Sequence, residues 1–153
     1  MTIAYKWIGA NKGLTTDSAY PFTSGSSGLT GNCVTTGYAN IAKTAPTGFV
    51  NVAPNSVAAL LSAVAQHPVA VGVQASSDIF QFYAGGIISD ASCGTMIDHA
   101  VLVTGYGTDA AGVDYWRVKN SWSTSWGEQG YARILRSSAN ICGVLNSPDY
   151  PVL

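Results

Sequence analysis

Val57, Leu60, Leu61 and Val64 recur at the i, i+3, i+4, i+7 spacing that lines one face of a helix. The spacing predicts a helix from Asn55 to Gln66, with Asn55 or Ser56 able to cap its first turn and His67-Pro68 ending it. In Val69-Ala70-Val71-Gly72-Val73, β-branched residues alternate with small ones, the pattern of a buried strand. Asp78 to Tyr83 can make one helical turn before Gly85-Gly86. Further on, His99 to Tyr106 predicts a strand and Gly107 to Asp114 a hairpin loop containing Gly112. Tyr115 to Lys119 then predicts an antiparallel return, and Tyr131 to Leu135 a third strand. Upstream the pattern is looser. Residues 23–53 are rich in Ser, Gly, Thr and Asn with short apolar breaks such as Gly48-Phe49-Val50-Asn51-Val52, which predicts loops and one or two edge strands. Met1 to Ile8 reads as the end of an amphipathic helix closed by Gly9 or Gly13. It has no basic leader, extended apolar stretch or small-residue cleavage site, so it is not a signal peptide. The expected class is α+β: an antiparallel, barrel-like sheet with a helix or two on its flank.

Composition narrows what this fold can do. The 153 residues fit one domain, expected to bury roughly 70% of the unfolded surface. Apolar residues make up 47% of the chain, enough for a packed core. Charged residues are only 10%, with a net charge of −1, which argues against nucleic acid or an anionic membrane as partner. No apolar run approaches the ~18 residues needed to cross a bilayer. The two histidines and three cysteines show no metal-ligand spacing, so no zinc or other metal is expected. Gly105-Tyr106-Gly107 ends a strand with no helix after it and fails the dinucleotide test, and no cofactor is implied. His67 reads as a helix-end histidine.

Three segments occur in order along the second half: Asp98-His99-Ala100, then Lys119-Asn120-Ser121-Trp122, then Trp126-Gly127-Glu128-Gln129-Gly130-Tyr131. Together they resemble the papain-like (cathepsin-type) cysteine peptidases around their catalytic histidine and asparagine. Ala4-Tyr5-Lys6-Trp7-Ile8 followed by Asp17-Ser18-Ala19-Tyr20-Pro21-Phe22 resembles the family's helix and its Glu-x-x-Tyr-Pro-Tyr passage, and Tyr150-Pro151-Val152 resembles its C-terminus. The resemblance covers essentially the whole chain. It implies the histidine-bearing right-hand lobe over residues 46–153 and part of the left-hand lobe over residues 1–45, within a single peptidase C-terminal domain spanning 1–153.

It also implies roles. His99 is the expected general base, Asn120 its orienting partner, and Trp122 the cover over their hydrogen bond. An imidazole maintains a thiolate only when held in the correct ring orientation, and an asparagine carbonyl oxygen accepting from the ring N–H does this. His99 at the start of one strand and Asn120 at the end of its antiparallel neighbour would lie side by side. The family's nucleophile lies roughly 130–150 residues before its histidine. Ninety-eight residues precede His99, and no segment resembling Cys-Gly-Ser-Cys-Trp occurs, so the expected nucleophile falls upstream of Met1.

Gly72, Ile97, Asp98, Ala100 and Ser147 match positions lining the family's main specificity pocket, and Trp126 faces the leaving-group side. Small, apolar walls without a buried carboxylate would favour Leu, Val or Phe. The resemblance pairs Cys93 with Cys142 and leaves Cys33 a free thiol; three reduced, buried cysteines are the alternative. A disulfide implies an oxidising compartment, lysosomal, vacuolar or extracellular. The expected partners are a peptide or protein substrate and a nucleophile-bearing N-terminal segment or second chain, with self-association through an uncovered apolar face. Two functions remain open: the C-terminal part of a cysteine endopeptidase, inactive alone, and a non-catalytic relative that binds peptide or a protein partner.

Overall fold

Ser56 caps the helix that the apolar spacing predicts, its hydroxyl accepting from the Ala59 N–H at 3.2 Å. This helix spans Val57–Val64 in a computed structural model describing residues 1–153. In chain order the helices are α1 (Thr2–Ala10), α2 (Ser24–Ser27), α3 (Val57–Val64) and α4 (Asp78–Gln81). The strands are β1 (Gly48–Asn51), β2 (Val69–Val73), β3 (Ile87–Ile88), β4 (His99–Thr108), β5 (Asp114–Lys119), β6 (Tyr131–Leu135) and β7 (Asp149–Val152). The class is α+β, as expected.

Packing divides the chain into two units, Met1–Phe49 with Pro151–Leu153, and Val50–Tyr150. In the first, α1 ends at Ala10 and the chain turns through Lys12 and Gly13, both with positive φ. Gly13 has no alternative: a Cβ there would collide with the Ile41 carbonyl oxygen. The Ile41 N–H donates to the Leu14 carbonyl at 2.8 Å, and the Tyr5 and Phe49 rings lie 6.3 Å apart.

The second unit holds most of the sheet, whose strand order is β1-β7-β2-β4-β5-β6-β3. Pairing of β2 with β4, β4 with β5, and β5 with β6 is antiparallel. The sheet differs from the expected one in two respects. It is open, with β1 and β3 at its edges, and β3 runs parallel to β6. A break in register between Val103 and Gly105 marks a bulge in β4, where the Thr104 hydroxyl donates to the Arg117 carbonyl at 3.3 Å.

Val69, Val71 and Val73 of β2 and Val101 and Val103 of β4 all point into the core, together with Trp116 and Val118 of β5 and Ala132 and Ile134 of β6. Leu60 of α3, Phe80 of α4 and Leu145 complete it. Each large side chain buried there contributes roughly 1.5–3 kcal/mol. Cys93 and Cys142 are joined, tying the turn Ala91–Cys93 to the turn Ile141–Gly143, while Cys33 is free and exposed.

Candidate active site

His99 is the first residue of β4, and Asn120 follows the last residue of β5. The antiparallel register, with Leu102 opposite Lys119, brings their side chains together across 21 residues of sequence. The His99 Nε2–H donates to Asn120 Oδ1 at 2.9 Å, and the Ser121 N–H donates to the same oxygen at 2.7 Å. Convergence of these donors orients the amide, because only its carbonyl oxygen accepts. The hydrogen bond thereby places a proton on Nε2. Asn120 is 8% exposed, and its Nδ2 finds no partner within the chain. An orphaned buried donor is costly, so this side chain is set for the oxygen's task rather than for stability.

The Trp122 indole lies nearly parallel to the imidazole, 5.0 Å between centroids and 28° between planes. It is 37% exposed, covering the ring from the solvent side. The loop carrying it turns through Ser123, Gly127, Gln129 and Gly130, all with positive φ. At Gly127 a Cβ would lie 2.6 Å from the Tyr131 carbonyl oxygen, so only glycine fits. Trp126, farther along, donates its Nε1–H to the Gln81 carbonyl at 3.1 Å.

Asp98 uses its carboxylate on the backbone. Oδ1 accepts from the Ala75 N–H at 2.6 Å and Oδ2 from the Ser76 N–H at 3.1 Å. Hydrogen bonding by Ser76 and by the Ala75 N–H holds its pKa below the ordinary carboxylate value. Asp98 thus fastens the turn after β2 to the residue before His99. Of the other expected pocket residues, Gly72 and Ala100 sit opposite one another on β2 and β4, and Ile97 packs over Gly72. A Cβ at Gly72 would collide with Ile97 Cγ2, and one at Gly143 would lie 2.7 Å from Ile97 Cδ1. Ser147 stands exposed ahead of β7. The stretch preceding His99 is held on two further sides: the Met96 N–H donates to Gln74 Oε1 at 2.7 Å, and Asn146 Nδ2 donates to the Thr95 carbonyl at 2.9 Å. No three His, Cys, Asp or Glu side chains come together as a metal site, and no helix is long and apolar enough to cross a membrane.

Motif reading missed a clasp beside this site. Glu128 accepts from Arg133 Nη2 at 2.6 Å and Nε at 2.9 Å, and from the Gly86 N–H at 3.0 Å. Tyr83 donates to the Gly86 carbonyl at 2.7 Å and accepts from the Arg133 N–H at 3.2 Å. Burial raises the Tyr83 pKa. The Arg133 hydrogen bonds hold the Glu128 carboxyl below its usual 4.5. A carboxylate depressed on folding stabilises above its unfolded pKa, and that contribution is lost as pH falls through the folded value. Glu128→Gln is therefore expected to unfold at lower temperature than the parent at about pH 6, with the gap closing toward about pH 3. Both groups are about one-third exposed on their side chains, so the gap corresponds to about 1 kcal/mol or less. Melting curves of the two proteins at both pH values check this, and a gap unchanged at the lower pH would refute the linkage.

The sequence profile described as papain family cysteine protease matches residues 1–152. Cathepsin L of Sarcophaga peregrina is 39% identical over 155 residues, covering 100% of this chain and 44% of the relative. Fruit bromelain of Ananas comosus is 39% identical over 153 residues, covering 98% of this chain and 41% of the relative. The solved bromelain protease from Ananas comosus in complex with the E64 inhibitor superimposes with a TM-score of 0.89 at 38% identity, over 99% of this chain and 68% of that one. The chain spans less than half the length of these curated relatives. Matched along nearly its whole length by profile, sequence and fold, the chain belongs to the papain family of cysteine proteases.

Proposed function

We propose that this chain is the histidine- and asparagine-bearing C-terminal part of a cysteine endopeptidase, and that it does not hydrolyse peptides unaided. The observation carrying this reading is the pairing of His99 Nε2 with Asn120 Oδ1 beneath Trp122, which leaves Nδ1 free for a thiol. In the reaction, Nδ1 takes the thiol proton and the thiolate attacks the scissile carbonyl carbon. The imidazolium returns that proton to the departing amine as the C–N bond breaks, leaving a thioester. His99 then deprotonates a water that attacks the thioester, releasing the acid and restoring the thiol. Asn120 and Trp122 keep the ring in its tautomer and its hydrogen bond dry.

In this reading the thiol comes from outside this chain. Cys93 and Cys142 are consumed by their mutual bond, and Cys33 belongs to the other packing unit. That unit also leaves Ile3, Trp7, Phe22 and Leu29 more than half exposed, as expected of a surface that a nucleophile-bearing segment or a second chain would cover. On the substrate side, Gly72, Ile97 and Ala100 form a small apolar wall suited to Leu, Val or Phe, with Ser147 at its base, while Trp126 faces the leaving-group side. The disulfide favours an oxidising compartment, vesicular or extracellular.

Treatment with an epoxysuccinyl thiol reagent, followed by intact mass with disulfides closed, tests the reading. The expected result is slow labelling at Cys33 alone, at the rate iodoacetamide shows there. Fast stoichiometric labelling that disappears in His99→Ala would mean a cysteine of this chain reaches the imidazole, and the reading would fail.

A further inference from the structure

Four of the chain's seven lysines and arginines lie between residues 117 and 136: Arg117 and Lys119 on β5, Arg133 on β6, and Arg136 just beyond it. Strand alternation sends Trp116, Val118, Ala132 and Ile134 into the core. Tyr115, Arg117 and Lys119 therefore stand on the outer face of the sheet, beside Tyr131 and Arg133. Across the ladder Arg117 is directly opposite Arg133, and Lys119 is opposite Tyr131. Like charges facing each other across two strands cost stability unless something neutralises them.

Carboxylates of the chain answer half of this charge. Glu128 holds Arg133, and Asp114 accepts from Arg136 Nη2 at 2.9 Å. Arg117 and Lys119 are exposed, and neither is paired with a carboxylate. The Arg117 guanidinium lies 4.1 Å from the centre of the Tyr131 ring, a contact that places the charge without cancelling it. On the other side its partner in β4 is Gly105, where a Cβ would meet nothing within 4 Å. The backbone there forms an open shelf, bounded by Tyr115, whose hydroxyl reaches over Gly107. Elsewhere the chain has six carboxylates against three cations, so positive potential gathers on this face despite the net charge of −1.

Residues two apart on a strand stand roughly 7 Å apart, and this is the interval between Arg117 and Lys119. An extended peptide with a carboxylate at every second position repeats at the same interval, with the acids on one side. Nucleic acid and anionic membranes draw their affinity from many neutralised phosphates, which two unpaired cations do not supply. We propose that the outer face of β5 and β6 docks an extended acidic peptide segment. Its alternate Asp or Glu side chains pair with Arg117 and Lys119, and its backbone lies over Gly105.

The test is fluorescence anisotropy of a fluorescein-tagged peptide of about eight residues, Asp alternating with Ser, titrated with this chain. Binding is expected at about 0.01 M salt and weakens several-fold at about 0.15 M, as the Debye length contracts from about 30 to about 8 Å. Arg117→Glu and Lys119→Glu are each expected to weaken it about fivefold. Lys43→Glu makes the same charge change in the other packing unit and is expected to stay within about twofold. Gly105→Leu fills the shelf without altering charge and is expected to weaken binding too. Melting temperatures show that each variant is folded, and should one reversal not fold, the other decides. No binding at about 1 mM peptide would overturn the proposal. So would parent-like affinity in the folded reversals or in Gly105→Leu, or an equal loss in Lys43→Glu. Heparin binding about tenfold more tightly than the peptide through the same two cations would overturn the choice of a peptide as occupant.

Discussion

In a polypeptide carrying this chain behind a thiol-bearing segment, His99→Ala is expected to lower kcat/KM for peptide hydrolysis about 10²–10⁴-fold. The segment could be the part of the bromelain chain left unmatched here. The size follows from what the imidazole does at each step. Without it the thiol is not activated, the departing amine leaves unprotonated, and the water that opens the thioester has no base. Protonation of the departing amine and activation of the water arise only in the transition states, so most of the loss belongs in kcat and KM should change little. Asn120→Ala is expected to cost less, because the imidazole remains and only its tautomer and orientation become free; the Ser121 N–H would also lose its acceptor. Initial rates on a fluorogenic peptide with Leu or Phe ahead of the cleaved residue measure both. A loss below tenfold for His99→Ala would remove this residue from the base's role.

The second large effect concerns stability. Replacing Cys93 and Cys142 together by alanine is expected to lower the free energy of unfolding by about 4 kcal/mol in the chain-entropy account. The bridge closes a loop with a sequence separation of 49, so the unfolded chain gains considerable freedom when it is removed. Alanine rather than serine is the appropriate replacement, since both positions are fully buried and a hydroxyl there would lack solvent. Denaturant melts of the oxidised parent and the double variant give the difference, and a value under about 1 kcal/mol would contradict it. The His99–Asn120 hydrogen bond should survive in the folded variant. The stretch before His99 keeps the Gln74–Met96, Asn146–Thr95 and Asp98–Ala75 hydrogen bonds, none of which passes through a sulfur. The bridge thus sets how stable the unit is, while polar contacts set where the imidazole stands.

Several features were legible before any fold was available. The helix α3 appears at the predicted face because its apolar spacing is that of a helix, and β2 because its residues alternate with the strand's own period. His99, Asn120 and Trp122 were legible for a different reason: their segments resemble those of the papain-like family, and adjacent strands bring His99 and Asn120 together. Family membership followed from these segments, and the relatives agree with it.

Other features depend on partners far away in sequence. Ile87-Ile88 is too short to announce a strand and becomes one only because β6 offers it an edge, in parallel. Likewise β7 exists through its pairing with β2, Ala70 opposite Asp149. Glu128 was visible inside a motif, but its grip on Arg133 and Gly86 needs the loop after β5 folded back over the turn after α4. Phe80 read as one apolar residue in a short turn, and its contact with His99, Trp122 and Trp126 required β4, the Trp122 loop and α4 to converge. Sequence by itself determined the local periods and pointed to the candidate groups of the site, because backbone geometry and side-chain chemistry act within a few residues. Tertiary structure alone decided the open sheet, the proton's place on Nε2, and the aromatic and ionic supports around it. Most of these rest on contacts between residues about 20 to 45 apart in sequence, which no local pattern encodes.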